Sequence, residues 1–226
     1  MTLDAVVFDF DGLIIDSEWV IYESAREAFA LHGHELPVEA WATIVGLGEE
    51  DNDRAWAMLL TASGVEAFDV ADYTVAYEAT DRSNRDTLPV LPGVEVLLDS
   101  LTAAGVPIGM ASSSPVSWLE RHLSRLGLLD RFATIVGVDL VDGVGKPAPD
   151  VYLRACADLG ADPARSVALE DSGHGVSAAK AAGMAVVAVP GSITRFNDLS
   201  HADRVVESLE HLTVGDLDLL VTGTPG

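Results

Sequence analysis

Short apolar runs alternate along this chain with longer stretches whose apolar residues recur every three or four positions. The runs "LDAVVFDF", "VPIGMASSS", "FATIVGVD", "SVALEDS" and "MAVVAVPG" each end in polar or turn-forming residues and read as buried strands. Between them "GVEVLLDSLTAAG", "PVSWLERHLSRLGLL", "PDVYLRACADLG" and "HGVSAAKAAG" carry helical spacing. Strands alternating with helices predict right-handed βαβ units and an α/β fold built on a mostly parallel, doubly wound sheet.

One segment interrupts the alternation. From residue 16 to residue 87 no strand pattern occurs, and "SEWVIYESAREAFALHG", "PVEAWATIVG", "EEDNDRAWAMLLTASG" and "VADYTVAYEATDRSNRD" all read as helices. An all-helical insert straight after the first strand predicts a separate cap domain over 16–87, with residues 1–15 and 88–226 forming the core. The tail "ADRVVESLEHLTVGDLDLLV" supplies a last short strand and helix.

Composition narrows the partners. In 226 residues, 13 Lys and Arg face 36 Asp and Glu, a net charge of −23 that would repel nucleic acid and anionic membrane surfaces. An anionic substrate must then be held by local chemistry, and with only two lysines in the chain, Lys146 and Lys180, a lysine in a loop is informative. The single cysteine, Cys156, stands at a helical spacing and reads as a small core residue. No intrachain disulfide, signal-type N-terminus or long apolar run is present, so a cytoplasmic monomer is expected.

The stretch "VVFDFDGLIIDSE" aims two aspartates, Asp9 and Asp11, at the end of a buried strand, with Val6, Phe8 and Phe10 expected on the opposite face. Two like charges side by side need a cation between them or a raised pKa on one. In an open parallel sheet ligands bind outside the carboxyl ends of the strands. There the second strand delivers Ser112, Ser113 and Ser114, "SVALEDS" delivers Glu170 and Asp171, and the loop "GVGKPAPD" delivers Lys146. The acids Asp9, Asp11, Glu170 and Asp171 suit a hard, oxygen-loving ion such as Mg²⁺. The serines before a helix N-terminus, Ser112 and Ser113 foremost, and the Lys146 ammonium suit phosphate. A carboxylate so placed can attack phosphorus, which assigns Asp9 as nucleophile, with Asp11 beside the freely turning Gly12 as acid and base. A helical insert directly after Gly12 would serve as a water-excluding lid.

Other residues read more plainly. Asp16, Ser17 and Ser114 are expected as helix N-caps, with Pro115 in the first helical position, and His174 as an exposed first-turn residue. Trp19, Trp41, Trp56 and Trp118 fall in helical patterns and are expected in the core.

Taken together and in this order, "DFDGLIIDSE", "ASSSP", "GKPAPD" and "ALEDSGHGVSAAKAAG" resemble the four motifs of the haloacid dehalogenase superfamily. The subgroup resembled is that of β-phosphoglucomutase-like and sugar-phosphate phosphatase enzymes with a helical cap. The resemblance implies a Rossmann-like core, Mg²⁺, Asp9 as nucleophile, Asp11 as acid and base, Ser112 and Lys146 on the phosphate, and Asp171 with Glu170 at the metal. It implies a phosphatase acting on a small phosphorylated metabolite, a sugar phosphate, with phosphomutase as the alternative. A mutase must also hold a second phosphate, for which the resemblance implies an arginine in the cap loop and a lysine after the motif-two serines. Here "VGLGEED" puts Glu49 at the first of these and Pro115 follows the serines, which favours the phosphatase; Arg54 would be the first suspect for a second phosphate.

Overall fold

The computed structural model describes residues 2–44, 52–65, 69–80 and 85–223, with side chains at 52–54, 80 and 85 outside the description. Six strands are found there: β1 (Ala5–Phe8), β2 (Ile108–Ala111), β3 (Thr134–Val136), β4 (Ser166–Glu170), β5 (Ala185–Ala188) and β6 (Arg204–Val205). They pair in parallel throughout, in the order β3-β2-β1-β4-β5-β6. The chain runs outward from β1 to β3, crosses back to β4 beside β1, and runs outward again. The switch point, where such sheets leave a crevice for ligands, therefore lies between the carboxyl ends of β1 and β4.

Alternation along the central strand feeds two cores. Val6 and Phe8 pack with Leu97, Leu98 and Leu101 of α5 (Val94–Ala104), Leu119 and Leu123 of α6 (Val116–Leu126), and Leu217 of α9 (Val214–Thr222). Val7 turns to the other face, against Tyr152 and Ala155 of α7 (Asp150–Leu159) and Ala178 and Ala179 of α8 (Gly173–Ala181). Helices on both faces make the sheet doubly wound, as the sequence pattern predicts. The lone thiol, Cys156, is buried in the second core beside Met184, and burial pushes its pKa up to about 11.

After β1 the described chain forms helices α1 (Ser17–Leu31), α2 (Val38–Ala42), α3 (Asn52–Ala62) and α4 (Val70–Thr80), with no strand among the described residues there. These helices bury an apolar cluster of their own, in which Tyr22, Phe29, Trp41, Trp56 and Tyr73 pack with Ile193 from the loop after β5. Glu49 and the side chain of Arg54, on which the second-phosphate argument turned, lie outside the described residues. No helix among the described residues is long and apolar enough to cross a membrane.

Three local expectations need correction. Pro115 is the N-cap of α6 rather than its first residue, and the first free amide, that of Val116, is capped at 2.9 Å by Asp139. Ser114 and Ser17 are not the N-caps: Ser17 lies inside α1 after the N-cap Asp16, Ser114 lies one residue before the N-cap Pro115, and both hydroxyls donate to Asp11. Of the four tryptophans only Trp41 and Trp56 are buried; Trp19 is exposed and Trp118 half-buried. The expected cap at Asp16 is present, its carboxylate accepting from the Trp19 amide at 3.3 Å.

Candidate active site

The amide of Asp9 donates to Leu169 O at 2.9 Å, carrying the β1–β4 pairing one residue past the strand. This fixes the Asp9 side chain at the switch point, where its Oδ1 accepts from Lys146 Nζ at 2.5 Å. The same ammonium donates to Glu170 Oε1 at 2.5 Å, which also accepts from the Tyr152 hydroxyl at 2.6 Å. Glu170 Oε2 accepts from the amides of Asp171 and Ser172 at 3.1 and 3.2 Å and from the Ser172 hydroxyl at 3.2 Å. Asp171 Oδ2 in turn accepts from Thr194 Oγ1 at 3.1 Å. Asp9, Lys146, Glu170 and Asp171 are all buried.

Two glycines make room for these acids. Gly12 has φ +85°, and a Cβ there would stand 2.1 Å from Asp171 Oδ2. A Cβ on Gly175 would fall within 2.0 Å of the Glu170 carboxyl group.

Burial sets the electrostatics. It pushes Asp9 up to about 7 against the pull of Lys146, and it raises Asp171 well above the usual carboxylate range, with Asp9 and Glu170 adding to the shift. For Lys146 burial alone would lower the pKa, but the carboxylates of Asp9 and Glu170 outweigh it and keep the ammonium charged. One oxygen from each of Asp9, Glu170 and Asp171 lies within 4.8 Å of the others. Three carboxyl groups around a buried, all-oxygen site, two of them disfavoured in their charged forms by that burial, fit a hard divalent cation that would offset the charge.

Asp11, also expected among the metal ligands, is not one of the three acids whose carboxylate oxygens converge there. Its Oδ1 accepts from Ser17 Oγ at 2.7 Å and Trp118 Nε1 at 3.3 Å, and its Oδ2 from Ser114 Oγ at 2.7 Å. The two-residue periodicity of a strand would put Asp11 beside Asp9, but β1 stops at Phe8 and the backbone then turns, with the Leu13 and Ile14 amides returning to Phe10 O.

The serines lie where the sequence puts them, at the end of β2. Ser112 is buried, its amide donating to Val136 O at 3.0 Å and its hydroxyl oxygen accepting from the Ser114 amide at 3.0 Å. Ser113 Oγ accepts from the Lys146 amide at 3.1 Å and so ties the lysine loop to the serine loop. Sequence reasoning missed Tyr152, Thr194, Ser17 and Trp118 as parts of this site. Tyr152 and Trp118 sit in helical patterns that read as core, and nothing local marks Thr194.

Comparison with known proteins agrees with this geometry. A family model described as haloacid dehalogenase-like hydrolase matches residues 3–183. Hexitol phosphatase B of Escherichia coli (strain K12) is 34% identical over 221 residues, covering 94% of this chain and 96% of that protein. A crystal structure of a CbbY variant from Rhodobacter sphaeroides, in complex with xylulose-1,5-bisphosphate, superposes with a TM-score of 0.73 at 26% identity, covering 96% of this chain and 100% of the other. A β-phosphoglucomutase from Clostridium difficile shares the fold, with a TM-score of 0.71 at 22% identity and 97% coverage of each chain.

Proposed function

The chain belongs to the haloacid dehalogenase-like hydrolase family, and we propose that it is a Mg²⁺-dependent phosphatase of small phosphorylated metabolites, sugar phosphates in particular. The observation that carries this reading is the meeting of Asp9, Lys146, Glu170 and Asp171 at the sheet's switch point, with Asp11, two residues after Asp9, held by the neutral donors Ser17, Ser114 and Trp118. The substrate class is supported by the similarity to hexitol phosphatase B and to the sugar-bisphosphate complex of CbbY.

In this mechanism Lys146 anchors Oδ1 of Asp9, and the other oxygen attacks phosphorus. The bond from phosphorus to the leaving oxygen breaks, and protonated Asp11 gives that oxygen its proton. Asp11, now ionised, takes a proton from water as the water attacks the aspartyl-phosphate, which frees Asp9 and inorganic phosphate. Ser112 and Ser113 hold the phosphoryl oxygens together with Lys146. Asp9, Glu170 and Asp171 would hold Mg²⁺, which supplies charge neutralisation for the transferring group. Burial raises Asp9 towards neutrality, so Lys146 also serves to keep the nucleophile ionised.

Residues 16–87 act in this proposal as a cap over the site. Two contacts support that: Ser17 at the start of α1 reaches Asp11, and Ile193 from the core joins the helical cluster. A cytoplasmic location belongs to the same reading, supported by the single buried thiol, and the chain is taken as a monomer within it. The net charge of −23 is unsuited to nucleic acid or anionic membranes.

The test is phosphate release from a panel of sugar phosphates, with Mg²⁺ and with chelator, by the wild type and Asp9→Asn. Metal-dependent release that the variant lacks is expected. Release undiminished in Asp9→Asn would refute the mechanism, and bisphosphate-primed conversion of β-glucose 1-phosphate to glucose 6-phosphate would replace the phosphatase with a mutase.

A further inference from the structure

We propose that Trp118 is a positioning residue for Asp11: its indole N–H fixes the plane of the acid–base carboxylate against the leaving group. The proposal rests on the phosphatase reading above. Trp118 lies in the first turn of α6, directly after the serine loop, and its Nε1 donates to Asp11 Oδ1 at 3.3 Å.

The indole is itself held. Its ring centroid lies 4.0 Å from that of His122, one helical turn on, with an interplanar angle of 53°, and the Phe10 ring centroid lies 6.2 Å from that of the imidazole. His122 is fully buried, and neither ring nitrogen has a hydrogen-bond partner among the described residues. Asp86 approaches Nε2 only to 3.9 Å and is engaged by Arg121. Burial, and then the cation of Arg125, lower the His122 pKa, so the imidazole is a neutral slab that backs the indole. Packing on this scale locks the direction of the N–H.

That direction matters because the last torsion of an aspartate is soft. The other two donors, Ser17 Oγ and Ser114 Oγ, are hydroxyls that rotate about their own bonds. An indole N–H lies in the ring plane and cannot turn aside. A carboxylate has about four lone-pair positions, and three donors leave one to carry the proton that Asp11 gives to the leaving oxygen. Trp118 thereby decides which edge of Asp11 faces the substrate.

Trp118→Phe keeps a ring against His122 and removes the N–H. We would compare kcat/KM on the sugar phosphate turned over fastest in the panel with kcat/KM on p-nitrophenyl phosphate, whose leaving group needs no proton. The expected result is a fall of about ten-fold on the sugar phosphate and less than about two-fold on p-nitrophenyl phosphate. Equal losses on both substrates, which a merely structural role would give, overturn the inference, as does no loss on either. A wild type that releases no phosphate from any substrate overturns the phosphatase reading and this inference with it. If Trp118→Phe does not fold by circular dichroism, 3-benzothienylalanine at position 118 replaces the N–H by sulfur in a near-isosteric ring and is judged by the same ratio.

Discussion

At the carboxyl ends of β1 and β4 the Lys146 ammonium bridges Asp9 and Glu170 at 2.5 Å, with an oxygen of Asp171 within 4.8 Å of both acids, whereas helices α1 to α4 meet over rings. Phe29 lies 5.1 Å from Tyr73 and 6.2 Å from Trp56, and Trp56 lies 5.5 Å from Tyr77. The aromatic cluster is held by non-directional apolar burial, which tolerates small changes of geometry. The acid cluster is held by directional bonds between groups that burial disfavours in their charged forms. A chain selected for stability alone would not bury three carboxylates around one lysine. The difference teaches that the sheet edge spends stability on chemistry while the helical layer supplies stability beside it.

The comparison can be broken at several points. Asp171→Asn should lower metal-dependent turnover by about 10³-fold, roughly 4 kcal/mol of transition-state stabilisation. It should also raise the melting temperature of metal-free protein and abolish the rise with Mg²⁺ that the proposal expects of the wild type. A metal-free variant less stable than the wild type would mean that the acid cluster is structural. Phe29→Ala should do the reverse: about 3 kcal/mol is lost in urea unfolding, from the stability of the folded chain. Loss of activity in that variant at temperatures where it remains folded would show that the two regions are coupled.

Thr194→Val removes the hydroxyl on Asp171 without touching the other acids. The Mg²⁺ concentration at half-maximal activity should rise about ten-fold, and Thr194→Ser should restore it. The smallest effect is expected away from both regions, at the capping box of α9. The Asp216 carboxylate is lowered to about 2, first by the Thr213 hydroxyl and then by Arg204. A depressed folded-state pKa gives stability that is present above the unfolded value and lost as pH falls through about 2. Asp216→Asn should therefore cost about 1 kcal/mol or less at pH 7, a difference that shrinks as the pH falls from about 4 to 2. A difference that persists below pH 2 would rule out the charge as its source.

Much of the fold was legible because its signals are local. Apolar runs marked β1 to β5, and the weaker "ADRVV" marked β6. Asp9, Ser112, Glu170 and Lys146 could be nominated because strand ends converge in a parallel sheet whatever fills the loops. The partners of these residues were not legible. Trp118 reaches Asp11 across 107 positions, Ser114 across 103, and Thr194 reaches Asp171 across 23. Hydrogen bonds at such separations leave no period in the chain.

The sequence by itself determined the alternation of strands and helices, the helical insert and the acids at the strand ends, since each depends on neighbours within a turn or a pleat. Only the tertiary structure decided that Asp11 parts from Asp9, that two serines expected as caps serve it instead, and that an indole and a threonine hold the acids in place. Those outcomes depend on where the backbone turns at Gly12 and on which distant donors packing brings within about 3 Å.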